Sequence, residues 1–523
     1  MSETNIHQSP LPDIELPDQL LLPYVMARAG ELGDRVAVVD GFSGEQLTYA
    51  ELDDRIRRFA GGLVAHGFGP GQVLAIMAPN CPSYAVVFHG AAMAGGTVTT
   101  INPTYTDHEV RHQLVDSGAS LLVTVGMFVE TAKAAMEGTG VKELYVLDGA
   151  YGEVPAGESR LDELFGEPLA TQVPVGLDDV VVLPYSSGTT GLSKGVMLTH
   201  RNLTANVAQS LAGAIPMDGD SFVAVLPFFH IYGMQVLMDC GLRAGCRIVT
   251  MPRFDLELFL RLNQEHNCTR AFVAPPMVLA LAKHPIVDNY NLSDLEVVFS
   301  GAAPLSAELA AEASQRLGCE VVQGYGMTEA SPVTHATPPR QFKPGSVGVT
   351  LPNSETRIVD PATGENLGLD QDGEICVRGP HVMKGYHNNE AATAATIDAE
   401  GWLHTGDVGH VDADGHVYVV DRLKELIKYK GFQVPPAELE GLLLTHPAVA
   451  DAAVVGRPDD EAGEIPVGFV VVKDGQDVSA ADLQAFVADR TASYKHVREL
   501  HFVEAIPKSP SGKILRRVLR DKA

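Results

Sequence analysis

The sequence predicts an α/β protein: a large N-terminal α/β domain with a β-rich subdomain, followed by a small, mobile C-terminal α+β lid. Three observations predict it. Short apolar strands alternate with small-residue loops and amphipathic helices along most of the chain, the signature of layered α/β architecture. Residues 358–420 are instead rich in Gly, Asp and β-branched types and read as β-hairpins. Beyond Asp421 the pattern changes to a smaller α+β unit, and 523 residues exceed what one hydrophobic core holds.

The first helix is expected over 48–66, where Tyr49, Leu52, Ile56, Phe59, Ala60 and Leu63 recur at helical spacing. Thr48 and Glu51 have capping-box spacing, and Gly67 follows the end. A strand is expected at 73–77. Residues 75–106 carry no Asp, Glu, Lys or Arg, but Asn80, Pro82, His89, Gly95 and Gly96 break the run, so it predicts buried core rather than a membrane span. Further strands are expected at 180–183, 222–226, 247–251, 270–273, 297–299 and 320–323. Most precede Pro, Gly or Ser loops, and in such folds sites form at the carboxyl ends of strands. After residue 421 come a helix at 436–444, strands at 453–455 and 468–472, and a helix at 480–490. The division is therefore expected as 1–421 and 422–523.

Charge sharpens this division. The whole chain has 38 Lys+Arg and 66 Asp+Glu, a net charge of −28. Residues 422–523 hold 15 of each sign, so 1–421 holds 23 positive and 51 negative charges and carries the entire net −28. Such a surface disfavours nucleic acid and anionic membranes. A neutral domain with basic clusters at both ends suits a lid that brings cations to a phosphate site. Six scattered cysteines without a C-x-x-C pair fit free thiols in a reducing cytoplasm. The acidic, proline-rich start has no basic or apolar region of a signal peptide, and LRDKA is not a peroxisomal ending.

The strongest local signal is YSSGTTGLSKGV at 185–196, directly after an expected strand. Its hydroxyls and glycine amides suit phosphate oxygens, and Lys194 adds charge. The Gly-to-Lys spacing is not that of a Walker A loop.

This segment resembles the phosphate loop of the acyl-adenylate-forming superfamily, which includes acyl-CoA synthetases, peptide-synthetase adenylation domains and firefly luciferase. PFFHIYG, SGAAPL, QGYGMTE, GEICVRG, HTGDVG, DRLKELIKYKGFQVPPAELE and PKSPSGKILRR follow in the same order and extend the resemblance over nearly the whole chain. GEICVRG and KELIKYKGFQV resemble 4-coumarate–CoA ligases in particular.

The resemblance implies an enzyme that forms an acyl-AMP from ATP and a carboxylic acid, then an acyl-CoA thioester. The phosphate loop would comprise Ser186, Ser187, Gly188, Thr189, Thr190 and Lys194, with Gln323, Gly324, Tyr325 and Thr328 on the nucleotide. Glu329 would hold Mg²⁺, a cation that prefers hard oxygen ligands shared with substrate phosphates. Asp407 would accept both ribose hydroxyls, with Arg422 beside it. Lys513, in the loop-like SPSGK, would be catalytic, bridging the acid carboxylate and the α-phosphate as charge grows. Lys424 falls at the domain pivot, Lys428 and Gln433 would reach the nucleotide, and Lys430, Gly431 and Arg253 would reach coenzyme A. His230 resembles a gate beside the acyl carboxylate.

The acid would lie among Ile231, Tyr232, Val236, Met277, Ala302, Gly324, Gly326, Pro332 and Val333, an apolar slot suited to a flat phenylpropenoate. Three positions depart from the coumarate-ligase pattern: Ser331 where Gly is usual, Thr334 where Leu is usual, and Ser193 for a loop proline. Two alternatives share the motifs: a medium- or long-chain fatty acyl-CoA ligase, and a stand-alone adenylation enzyme that loads a carrier protein.

Overall fold

The structure is a computed structural model describing residues 5–523 except 148, 150, 187–192, 431, 460 and 511. Two large, mainly parallel sheets lie at its centre. In the first, strands Thr97–Thr100, Val73–Met77, Leu121–Val125 and Glu143–Leu147 run parallel with Val180–Ser186, and Lys194–Thr199 turns back antiparallel. In the second, Glu320–Gly326, Val297–Ser300, Arg270–Val273, Ser221–Ala224 and Arg247–Thr250 are parallel. Nearly every side chain of these strands is buried, which is why they read as continuous apolar runs.

The helix expected over 48–66 is Tyr49–Ala65. Thr48 and Glu51 form a capping box, and the six apolar residues named above are its buried face. The uncharged stretch is core: Val73–Met77, a helix Pro82–Met93 buried at all but Ser83, and Thr97–Thr100. No helix among the described residues is long and apolar enough to cross a membrane. Residues 232–240 form a buried π-helix, where sequence periodicity gives no warning, and π segments often mark functional sites. His89 and Asp239, both wholly buried, face each other at 3.3 Å between this π-helix and Pro82–Met93.

The β-rich part is a five-stranded antiparallel sheet in the order Ile6–Gln8, Glu355–Val359, Gly373–Arg378, Leu403–Val411, Val417–Arg422. The next strand, Ile427–Tyr429, already belongs to the C-terminal sheet with Phe432–Val434, Gly463–Val472, Val449–Asp459 and Glu499–Phe502. Helix Pro436–Leu444 has its expected bounds, and the last expected helix ends earlier, at Ala488. The two strands expected at 453–455 and 468–472 are longer, Val449–Asp459 and Gly463–Val472, because they pair along their whole length.

Candidate active site

Glu329 joins the two parallel sheets. It lies in the turn Thr328–Ala330 just after the carboxyl end of Glu320–Gly326 and is 7% exposed. Its Oε1 accepts from Ser186 Oγ at 3.0 Å and from the Tyr386 hydroxyl at 2.8 Å. Ser186 ends Val180–Ser186 in the other sheet, so carboxyl ends of strands converge here, as α/β sites do. Lys194, paired in register with Ser186, holds its ammonium 4.7 Å from the centre of the Tyr386 ring.

Asp407 lies in the strand Leu403–Val411, on a stretch braced by side chains. Its N–H donates to Thr405 Oγ1, and Gly406 N–H donates to Glu374 Oε1 at 3.1 Å. Glu374 Oε2 in turn holds His404 Nδ1 at 2.8 Å. The Asp407 carboxylate receives the Tyr325 hydroxyl at 2.5 Å and lies 3.4 Å from Arg422 Nε. Burial raises the Asp407 pKa, opposed by Arg422, Tyr325 and Lys513.

Lys513 completes the group from the C-terminal domain. Its loop is closed by Leu515 N–H to Pro507 O at 2.8 Å and by Ser509 N–H to Lys513 O at 2.8 Å. Gly512 has φ +83° and packs where even a Cβ would be 3.0 Å from Ala274 Cβ, so the loop is seated against the large domain. Burial first, then Arg422, pushes the Lys513 ammonium down to about 8, while Asp407 and Glu329 oppose the shift. His230 is pushed down to about 3 by burial and by the Lys513 charge, so its imidazole is neutral near pH 7.

The residues expected around the acid lie partly on strands of the second sheet (Gly324, Gly326, Val333) and partly on helices beside it, Tyr232 and Val236 on the π-helix and Met277 on Pro275–Lys283. The Tyr232 hydroxyl donates to Phe299 O at 3.3 Å, and its ring abuts Gly301, next to Ala302. Gly324 lies so close to Phe299 that a Cβ would be 2.4 Å from Cζ. Gly326 pairs with Val333, and Met327 N–H donates to Pro332 O at 3.0 Å. Ile231, Tyr232, Val236, Met277 and Val333 are all buried. Gln323 is buried too, its Oε1 accepting from Leu305 N–H at 3.0 Å.

Other expected residues are not drawn in. Arg253, Lys424, Lys428, Lys430 and Gln433 are exposed and make no side-chain hydrogen bond or ion pair among the described residues. Ser187, Gly188, Thr189, Thr190 and Gly431 lie outside the described residues.

Sequence reasoning missed Tyr386, Glu374 and His404. Each acts through a contact made across sheets or strands; Glu374 and His404 stand in the motifs GEICVRG and HTGDVG, but spacing along the chain does not show that they meet. Glu374, Cys376 and His404 bring potential ligand atoms within 4.8 Å of one another. Glu374 is already engaged by His404 and Gly406, and Arg357 stands beside the thiol, so the trio reads as a brace for the Asp407 stretch rather than a cation site.

A buried carboxylate suited to a metal, set where strand ends of two sheets converge and near a lysine of the C-terminal domain, fits a nucleotide-activating enzyme. The model of the AMP-binding enzyme family matches residues 25–387, that of the AMP-binding enzyme C-terminal domain matches 438–513, and the chain belongs to this family. It is 47% identical to 4-coumarate–CoA ligase 3 of Oryza sativa subsp. japonica over 99% of this chain and 95% of the relative. It is 45% identical to a 4-coumarate–CoA ligase of Pinus taeda, covering 99% of this chain and 98% of that one. The fold superposes on ATP-bound MatB from Rhodopseudomonas palustris with a TM-score of 0.86 at 29% identity, covering 95% and 98% of the two chains.

Proposed function

We propose that this chain is an ATP-dependent carboxylic acid–CoA ligase whose preferred acid is 4-coumarate or a related cinnamate. The observation that carries the reading is that the Lys513 loop of the C-terminal domain is seated against the large domain at Gly512, with its ammonium near enough to Asp407 and Glu329 to feel both charges. The full-length relatives named 4-coumarate–CoA ligases support the choice of acid.

In this reading the acid carboxylate attacks the α-phosphorus of ATP, pyrophosphate departs, and the acyl-AMP forms. Lys513 stabilises the negative charge shared by the carboxylate and the α-phosphate. Asp407 accepts the ribose hydroxyls, and Ser186, Ser187, Gly188, Thr189, Thr190 and Lys194 hold the phosphates, with Thr328 beside them. The hard oxygens of Glu329 fit Mg²⁺, which supplies charge neutralisation to the phosphates when bound. The thiol of coenzyme A then attacks the acyl carbon and AMP departs. A neutral His230 next to the slot suits a gate better than a proton acceptor, since about 3 is too low for a base at neutral pH.

The exposed Arg253 and Lys430, with Gly431, are the proposed coenzyme A contacts, and Lys428 and Gln433 reach the nucleotide in a second pose. That pose needs the lid to move about Lys424, with the domains divided at 421/422. The change of sheet comes just past this boundary, between Val417–Arg422 and Ile427–Tyr429, with Arg422 still paired to Asp407 in the antiparallel sheet. Six free, buried cysteines support a cytoplasmic location.

The test is CoA-ester formation from 4-coumarate, cinnamate, octanoate and palmitate. The expected result is the highest kcat/KM with 4-coumarate or cinnamate. Preference for octanoate or palmitate makes the chain a fatty acyl-CoA ligase, and acyl-AMP formation with no CoA ester makes it a carrier-loading enzyme.

A further inference from the structure

Tyr386 has no role in the reading so far, yet it touches two of that reading's charged groups at once. It lies on a short edge strand, Gly385–Tyr386, paired with Lys194–Thr199. Lys384 N–H donates to Met197 O at 3.0 Å, and His387 N–H donates to Gly195 O at 2.8 Å. On the other side, Tyr386 N–H donates to Thr393 Oγ1 at 2.9 Å, and Met383 N–H donates to the Glu329 carbonyl at 2.9 Å. The backbone is thus held to the strand leaving the phosphate loop and to the Glu329 turn. The side chain is 7% exposed.

The phenol does two separable things. Its hydroxyl donates to Glu329 Oε1, the oxygen that also accepts from Ser186, and no donor among the described residues reaches Oε2. Its ring faces the Lys194 ammonium.

We propose that Tyr386 is a positioning residue for metal–nucleotide binding: with Ser186 it fixes Glu329 through Oε1 and leaves Oε2 for the cation, while its ring steadies Lys194 beside the phosphates. A carboxylate held by two donors on one oxygen keeps one orientation. Freed of one donor it samples others, and the cation loses a preorganised ligand. This inference rests on the reading of Glu329 as the metal ligand given above.

The test uses the full chain and isothermal titration of ATP, once with excess Mn²⁺ and once with EDTA. Wild type is expected to bind ATP more tightly with the metal. In Tyr386→Phe, which keeps the ring over Lys194, the metal-dependent gain should fall about tenfold, the worth of one hydrogen bond to a charged group. Its affinity in EDTA and its melting temperature should stay at wild-type values. An unchanged metal-dependent gain overturns the proposal, and so does an equal loss with and without metal.

Glu329→Gln separates this inference from the reading beneath it. If that variant keeps the full metal-dependent gain, Glu329 is not the metal ligand and both fall. If it loses the gain while Tyr386→Phe keeps it, only the role of Tyr386 falls. Should Tyr386→Phe melt well below wild type, Ser186→Ala removes the other donor to the same oxygen. Ser186 is also a proposed phosphate contact, so this variant is expected to bind ATP more weakly in EDTA too, but its metal-dependent gain should fall about tenfold as well, and an undiminished gain overturns the two-donor clamp.

Discussion

The Tyr325 hydroxyl donates to Asp407 Oδ2 at 2.5 Å, tying the end of a strand in a mainly parallel sheet to a strand of the antiparallel sheet. One carboxylate oxygen is thereby held by tyrosine while the other faces Arg422. Asp407→Ala removes both acceptors proposed for the ribose and should raise the KM for ATP by about tenfold or more. Tyr325→Phe leaves the Glu374–Gly406 brace intact and should raise it less. Initial rates of pyrophosphate exchange check both.

Lys513→Ala removes the ammonium that the C-terminal domain brings near Asp407 and Glu329. Adenylation should fall by at least about 10²–10³-fold, the scale for losing one preorganised transition-state donor. The melting temperature should not fall, because an unfavourably buried charge is removed with it. Exchange at wild-type rate in Lys513→Ala would show that the lysine does not stabilise the transition state.

The pH dependence follows from the same group. Adenylation needs the Lys513 ammonium, so kcat/KM on the free enzyme should decline as pH rises through about 8. Bound phosphates favour the charged form, so the decline in kcat should come at higher pH. The stability term has the opposite sense. The folded value lies below the ordinary 10.5, so the unfolded chain binds the extra proton between about 8 and 10.5 and this group's contribution rises with pH there. Paired pH–rate and pH–melting profiles of wild type and Lys513→Ala separate the two.

Gly324→Ala should damage both the fold and the acid slot. The added Cβ would meet the buried Phe299 ring at 2.4 Å and His335 O at 3.2 Å, and Phe299 is itself packed against Phe272. Overpacking of this kind costs about 1–3 kcal/mol. Thermal melting should show that loss, and the KM for the acid should rise more than that for ATP.

The C-terminal domain depends on one buried ion pair. Arg516 makes a bidentate contact to Glu440, donates to Val454 O at 2.9 Å, and neighbours Glu425. Only 13% of the Arg516 side chain and 9% of the Glu440 side chain are exposed. Arg516→Ala should cost about 3–5 kcal/mol, because it strands a buried carboxylate. Limited proteolysis should then cut after residue 422 while the large domain survives.

The helix at 49–65 was legible because apolar spacing and a capping box are local properties of a segment. The strands at 73–77 and 270–273 were legible because strands buried on both faces are mostly apolar; their one charged residue, Arg270, is buried in an ion pair with Asp220. The π-helix at 232–240 was not, since its wider turn comes from packing rather than from any residue preference. Strands 449–459 and 463–472 were read too short because their pairing extends past the apolar stretch.

The sequence by itself determined which chemical groups the site contains: the hydroxyl- and glycine-rich loop ending at Lys194, Glu329, Asp407 and Lys513, each within a motif whose residue types suit phosphate, metal, ribose or a charge-bridging role. Only the tertiary structure decided how they are held. Tyr386 reaches Glu329 across 57 positions of chain, Tyr325 reaches Asp407 across 82, and Glu374 reaches His404 across 30. Those partners depend on how the sheets pack, a property of the whole fold that short-range spacing does not encode. Lys513 shows the same division: alone it is a solvated lysine near a chain end, and burial between two domains is what pulls its ammonium down to about 8.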